Sequence, residues 1–193
     1  MGATKGFACG VVAGLLLVVA AGCSSSPRGE APAAFQDEAL EATRAAKVAD
    51  ADSTNLNQFE VFNGDFSRKN ILENTSKIYA KDVWFQDSFK VIHGESGFES
   101  YLLREADAVG QFKMEWQDVA QDQGNYYFRW RMTLKLKHDK ESTPPTVCDG
   151  MSMVRFGADG KVLFQHDYYD GAQLLYEKVP ILGAEIRWVK SRL

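Results

Sequence analysis

The chain has 193 residues, and its 22 basic and 26 acidic side chains give a formal charge of −4 with the three histidines neutral. That balance offers no basic surface and excludes nucleic acid as a partner. Three cysteines are too few for a disulfide framework, and the length allows one domain of ordinary size behind an N-terminal leader.

The leader comes first. Lys5 precedes an uncharged apolar run from Phe7 to Gly22, which ends at Cys23. Sixteen residues fall short of the roughly 20 that a helix needs to cross a bilayer, so residues 1–22 read as a cleaved export signal. Ala20-Ala21-Gly22-Cys23 resembles the lipobox of bacterial lipoproteins, with Ala20 where Leu is commonest. The resemblance implies cleavage before Cys23, lipidation of that residue and a mature chain held on a membrane; an ordinary secretory signal cleaved nearby is the alternative. Ser24, rather than Asp, after the cysteine implies outer-membrane sorting, facing the periplasm. Cys9 leaves with the signal, so Cys148 has no intramolecular partner and is expected to be buried.

Residues 23–53 are rich in Ala, Ser and Pro and form a flexible tether; helical propensity over 33–51 lacks an apolar stripe to dock. The domain occupies 54–193. Leu56, Phe59 and Phe62 predict a helix that stops at Asn63-Gly64-Asp65. A second, from Ser67 to Tyr79, should bury Ile71, Leu72, Ile78 and Tyr79. Val83-Trp84-Phe85 predicts a short strand, and a third helix starts at Gly94 with Phe98, Tyr101 and Leu102 inward.

Four strands are predicted next, over 112–122, 125–138, 146–156 and 161–170, separated by Gly124-Asn125, Thr143-Pro144-Pro145 and Asp159-Gly160. Neighbours among them should be antiparallel. In the second, Tyr126, Phe128, Trp130, Met132 and Leu134 share one face, while Arg129 and Arg131 share the other. Asp159-Gly160 between apolar runs predicts a tight hairpin. One face of that hairpin carries Ser152, Val154, Phe156, Leu163, Gln165, Asp167 and Tyr169. Met151, Met153, Arg155, Phe164, His166 and Tyr168 lie on the other, whose Met, aromatic and Arg content suits an interface. Two short C-terminal helices should break at Pro180 and Gly183. Helices followed by antiparallel strands make an α+β domain.

The segment Tyr79 to Phe89, YAKDVWFQDSF, together with Arg155-Phe156 before Gly-Ala-Asp-Gly and the closing Tyr168-Tyr169-Asp170, resembles the nuclear transport factor 2-like superfamily, which includes ketosteroid isomerases and SnoaL-like polyketide cyclases. The resemblance covers about 56–170. It implies a cone of curved antiparallel sheet closed by N-terminal helices, with a pocket inside and the C-terminal helices as an extension. It also implies that the Ser152–Tyr169 face and the Trp130 face line that pocket. Superfamily members often dimerise through the outer sheet face, which makes a homodimer one expected assembly. Coverage of that face by the C-terminal helices is the other.

By the same resemblance Asp87 falls where ketosteroid isomerases hold their general base, and Asp167 is a second inward carboxylate. Desolvation in an apolar cavity raises such groups toward the working range. Asn57 and Ser152 fall at the positions of the isomerases' two oxyanion donors. Neither is the expected residue, and one missing donor costs about 3 to 4 kcal/mol, so isomerase activity is not carried over. The leading reading is a membrane-anchored binding protein for a small, largely apolar molecule. Trp130, Phe128, Met132, Val154 and Phe156 would form its walls, and Asp87, Ser152, Gln165, Asp167 and Tyr169 would orient the ligand. An enzyme, whether dehydratase, isomerase or cyclase, with Asp87 or Asp167 as base is the rival. A non-catalytic interaction module is the third reading. His93, His138 and His166 are scattered without ligand spacing, so neither a metal nor another cofactor is expected.

Overall fold

The computed structural model describes Glu41 and residues 50–174 and 180–192. The expected signal, Cys23 and nearly all of the tether lie outside the described residues. Helix α1, Ser53–Gly64, begins on a reciprocal cap: Asp52 Oδ1 accepts from the Asn55 amide at 2.9 Å, and Asn55 Oδ1 accepts from the Asp52 amide at 3.2 Å. Helix α2, Arg68–Ile78, is capped by Ser67. It ends one residue earlier than predicted, because Tyr79 opens strand β1, Tyr79–Gln86. Leu72 is 55 % exposed rather than buried, and Ile71 and Thr75 take the inward stripe. Thr75 tolerates that position because its hydroxyl donates to the Ile71 carbonyl at 2.7 Å.

Strand β1 extends well beyond the predicted 83–85, and Val91–His93 adds a short antiparallel partner, β2, which the sequence did not announce. Three residues are too few to display a period. Helix α3, Glu95–Ala108, starts from Gly94, whose φ of +89° is one that glycine adopts without strain. Strands β3 (Val109–Asp122), β4 (Asn125–Leu136), β5 (Thr146–Phe156) and β6 (Val162–Tyr169) follow within a few residues of expectation.

The architecture is α+β, with one open six-stranded sheet in the order β2-β1-β6-β5-β4-β3. An antiparallel sheet was expected; the sheet is mixed, because β1 runs parallel to β6. Alternation assigns faces but not partners, and these two strands are far apart in the chain. Within the β5–β6 hairpin the register slips: Val154 pairs Gln165 and Arg155 pairs Phe164, but Phe156 pairs Val162. Leu163 is the extra residue. It leaves the inner face, and Val162 joins the core in its place. Helices α4 (Gly171–Leu174) and α5 (Pro180–Lys190) close the described chain. Pro180 begins α5, where a missing N–H costs nothing, and Gly183 lies within the helix rather than breaking it.

The core forms where α1 meets the sheet. Phe59 is fully buried, with ring centroids 4.6 Å from Phe128, 5.8 Å from Trp116 and 6.4 Å from Phe156. The other face of the sheet carries a smaller cluster, in which buried Met153 and Phe164 pack with Trp84 and Tyr127. His166 is buried there too, stacked on Tyr168 at 3.8 Å, and burial pushes its imidazole below the ordinary range. Parity puts it on this outward face, as a surface or interface side chain; the face holds, and within the chain the residue is buried.

Candidate functional site

Phe59 divides the interior. Towards the hairpin turn Phe59, Phe128, Val154, Phe156 and Val162 pack together, each at most 1 % exposed. Beyond it a cavity of about 140 Å³ remains. That matches an apolar void of about 150 Å³ known to accept benzene. Its apolar walls include Phe98, Tyr101 and Leu102 of α3, Phe112 and Met114 of β3, and Trp130 and Met132 of β4. Its polar end is built by Asn63, Asp87, Glu105, Gln165, Asp167 and Tyr169.

Trp130 reaches the cavity because its cross-strand neighbour is Gly150. A Cβ on Gly150 would lie 2.2 to 2.6 Å from three indole carbons, so only glycine lets the ring lie over β5. In that pose the indole Nε1 donates to Ser152 Oγ at 2.9 Å, and the Ser152 hydroxyl donates to Asp167 Oδ1 at 2.6 Å. From the other side, Gln165 Nε2 donates to both Asp167 oxygens at 2.9 and 3.0 Å. The Tyr79 hydroxyl holds Gln165 by donating to its Oε1 at 2.7 Å. Asn63 in turn donates to Tyr79 at 3.3 Å. Burial pushes the Asp167 carboxyl up to about 7, with the bonds from Ser152 and Gln165 opposing the rise and the nearby Asp87 adding to it. The residue is half-buried and lines the cavity.

Asp87 is held differently. It follows β1, and its Oδ1 accepts two backbone amides, from Phe89 at 2.8 Å and Lys90 at 2.7 Å. Oδ2 accepts two phenols, Tyr101 at 2.6 Å and Tyr169 at 3.2 Å. Both phenols are pushed above their ordinary range, chiefly by burial and further by the neighbouring carboxylate. Each oxygen of Asp87 is therefore occupied twice, which leaves it little room to accept a substrate proton. Asp167 Oδ2, with one 3.0 Å donor, is the freer basic atom.

Of the residues singled out from sequence, Asp87, Trp130, Met132, Gln165, Asp167 and Tyr169 stand together on the cavity. Ser152 stands behind Asp167. Phe128, Val154 and Phe156 do not line the cavity: they are at most 1 % exposed in the core, because α1 plugs that end of the cone. Asn57 also misses it; it faces a separate groove of about 310 Å³ between α1 and α2. The sequence reading missed Tyr101 as a polar group, and it missed Asn63 and Glu105. A signal existed: Glu105 follows Phe98 and Tyr101 on the apolar stripe of α3, where a carboxylate is out of place. Glu105 is exposed to solvent while also lining the cavity, and partial burial and the nearby Asp87 push its carboxyl up, against the pull of Arg104. The His93 ring lies tilted 4.5 Å from that of Trp84 and does not line the cavity. Cys148 is buried, and burial pushes its thiol up. Among the described residues no three His, Cys, Asp or Glu side chains converge to hold a metal ion, and no helix is long and apolar enough to cross a membrane.

Comparison with known proteins supports this architecture. A family model described as a SnoaL-like domain matches residues 59–164. No curated protein sequence gives a significant match. Among solved structures, an NTF2-like protein of unknown function from Burkholderia pseudomallei is similar, with TM-score 0.54 and 11% identity over 64% of this chain and 96% of that one. A candidate SnoaL-like polyketide cyclase from Shewanella denitrificans gives 0.53 and 13% over 64% and 95%. An epoxide hydrolase from Mycobacterium tuberculosis, described as LEH-like, gives 0.52 and 14% over 68% and 94%.

Proposed function

Since this chain belongs to the SnoaL-like domain family, we propose that it binds one small, largely apolar molecule in the cavity between α3 and the sheet, oriented by Asp167 and by the two phenols that Asp87 holds in place. The observation that carries this reading is the division of the interior: one end filled by core side chains, the other left open between apolar walls and a polar end where Asp87 and Asp167 are braced by hydrogen bonds. Cores do not leave such a space beside braced carboxylates without cost. The volume favours a ligand whose buried part is no larger than a six-membered ring.

A second reading, proton transfer with Asp167 as general base, is favoured by its carboxyl standing at about 7, where a base works best at neutral pH. Relatives named as cyclase or epoxide hydrolase belong to the same fold. Against an enolising reaction stands the lack of a free oxyanion donor: Tyr101, Tyr169 and Ser152 all spend their hydrogens on the two aspartates.

We also propose that Cys23 is lipidated and holds the domain in the cell envelope. Incorporation of a labelled fatty acid that is lost in Cys23→Ala would support this, and unchanged incorporation would refute it. Native mass spectrometry of the chain, extracted gently from a bacterial envelope and again after denaturing release, tests the pocket. A small molecule that leaves on denaturation supports binding. A bare mass that stays bare when the chain is incubated with ring-sized apolar compounds overturns it.

A further inference from the structure

With Asp167 ionised, above about pH 7, the polar atoms around the cavity offer chiefly acceptors. The Trp130 indole gives its proton to Ser152, Ser152 gives its own to Asp167, and the Gln165 amide nitrogen is also turned to Asp167. Tyr79 donates to Gln165, while Asn63 donates to the Phe59 carbonyl and to Tyr79. Tyr101 and Tyr169 point their hydroxyl hydrogens at Asp87. What faces the space is therefore lone pairs: a carboxylate oxygen of Asp167, the two phenolic oxygens and the carboxyl of Glu105. A neutral ligand that brings only acceptors finds no partner here, and a buried acceptor left unpaired is costly.

Charge points the same way. Three carboxyl groups line the cavity, and none of its described lining residues is Lys, Arg or His. Arg104 stands outside it, exposed beside Glu105 on α3, and His166, on the other face of β6, is held neutral by burial. The remaining wall combines aromatic rings with Leu102, Met114, Met132 and Leu134. Phe85 lies 4.5 Å from Phe98 and 5.8 Å from Tyr101, and Trp130 lies 6.1 Å from Tyr169, measured between ring centroids. Ring faces attract cations, and a desolvated cation gains most from them.

We propose that the ligand is an organic cation, a protonated or quaternary amine whose apolar part fills the aromatic walls and whose positive end meets Asp167, Glu105 and the phenolic oxygens. This rests on the binding reading above and narrows it. It also excludes a carboxylate or phosphate ligand, which would enter against three like charges with no donor to meet it.

Three probes of one shape and different charge decide the matter. The full chain is titrated at pH 8 with benzylammonium, benzyl alcohol and benzoate, following the Trp130 indole proton by NMR. Benzylammonium should bind at least tenfold more tightly than benzyl alcohol, and benzoate should leave the signal unmoved. Glu105→Gln should weaken benzylammonium two- to fivefold without changing benzyl alcohol, a split that a purely structural role would not produce. Equal or tighter binding of benzyl alcohol or benzoate overturns the charge preference while leaving the pocket intact. Binding of none of the three removes the pocket reading together with this inference.

Discussion

The Tyr79 hydroxyl donates to Gln165 Oε1 at 2.7 Å, and this one bond fixes which end of the Gln165 amide faces Asp167. With Oε1 occupied, Nε2 is the group left to turn towards the carboxylate. Tyr79→Phe releases the amide. The expected loss is about 1 to 3 kcal/mol from a buried acceptor without a partner. Asp167 would also titrate higher, since a donor to its ionised form is no longer held in place. Chemical denaturation measures the first effect and a carboxyl-carbon NMR titration the second.

Asp167 makes stability depend on pH in a direction opposite to most acids. Its carboxyl titrates at about 7 in the folded chain and near 3.8 when unfolded, so between these values the native state holds a proton that the unfolded chain has released. Stability from this group is complete below about pH 4, declines as pH rises to about 7 and stays low above it. The shift corresponds to about 4 kcal/mol at most. Asp167→Asn should therefore melt above the parent chain at pH 8, with the gap closing by pH 4, as read by differential scanning calorimetry. A gap that does not change with pH would show that this carboxyl is not the one responsible.

Gly150→Ala tests the seat of Trp130. Relieving a 2.2 Å approach requires the indole to move or the strands to part, at about 1 to 3 kcal/mol for overpacking. The Trp130–Ser152 bond goes with it, and the indole proton signal should shift even in the absence of ligand.

Tyr101→Phe removes the shorter of the two phenol bonds to Asp87, 2.6 Å against 3.2 Å for Tyr169. Loss of a bond to a charged acceptor costs about 1.5 to 3 kcal/mol. Tyr169→Phe should cost less, and denaturant midpoints of the two variants give the comparison.

Much of this fold could be read from local signals. Polar-apolar alternation in β4 and the Asp159-Gly160 turn fixed faces that the structure retains, and Phe59 with Phe62 marked the buried stripe of α1. Three features escaped for a shared reason: the parallel β1–β6 pairing, the bulge at Leu163 and the plugging of the cone by Phe59 depend on what meets across long separations. The site was legible in part. Asp87 and Asp167 came from the family resemblance, whereas Tyr79 and Tyr101 read as ordinary core residues, because periodicity reports burial and is silent about where a hydroxyl points. Phe128, Val154 and Phe156 share the inward parity of Trp130, and parity cannot tell a filled end of a cavity from an open one.

The pairing of β1 with β6 sets an order of events for folding. Phe85 lies opposite Gln165, 80 positions later in the chain, so this contact closes a long loop and is entropically late. Asp87 sits just past one of these strands, and Tyr169 and Asp167 ride on the other. Until the last strand docks, the phenol of Tyr169 has no carboxylate to meet and the space between them does not exist. A nascent chain thus has no such cavity, and the cavity itself is a product of the last step of folding.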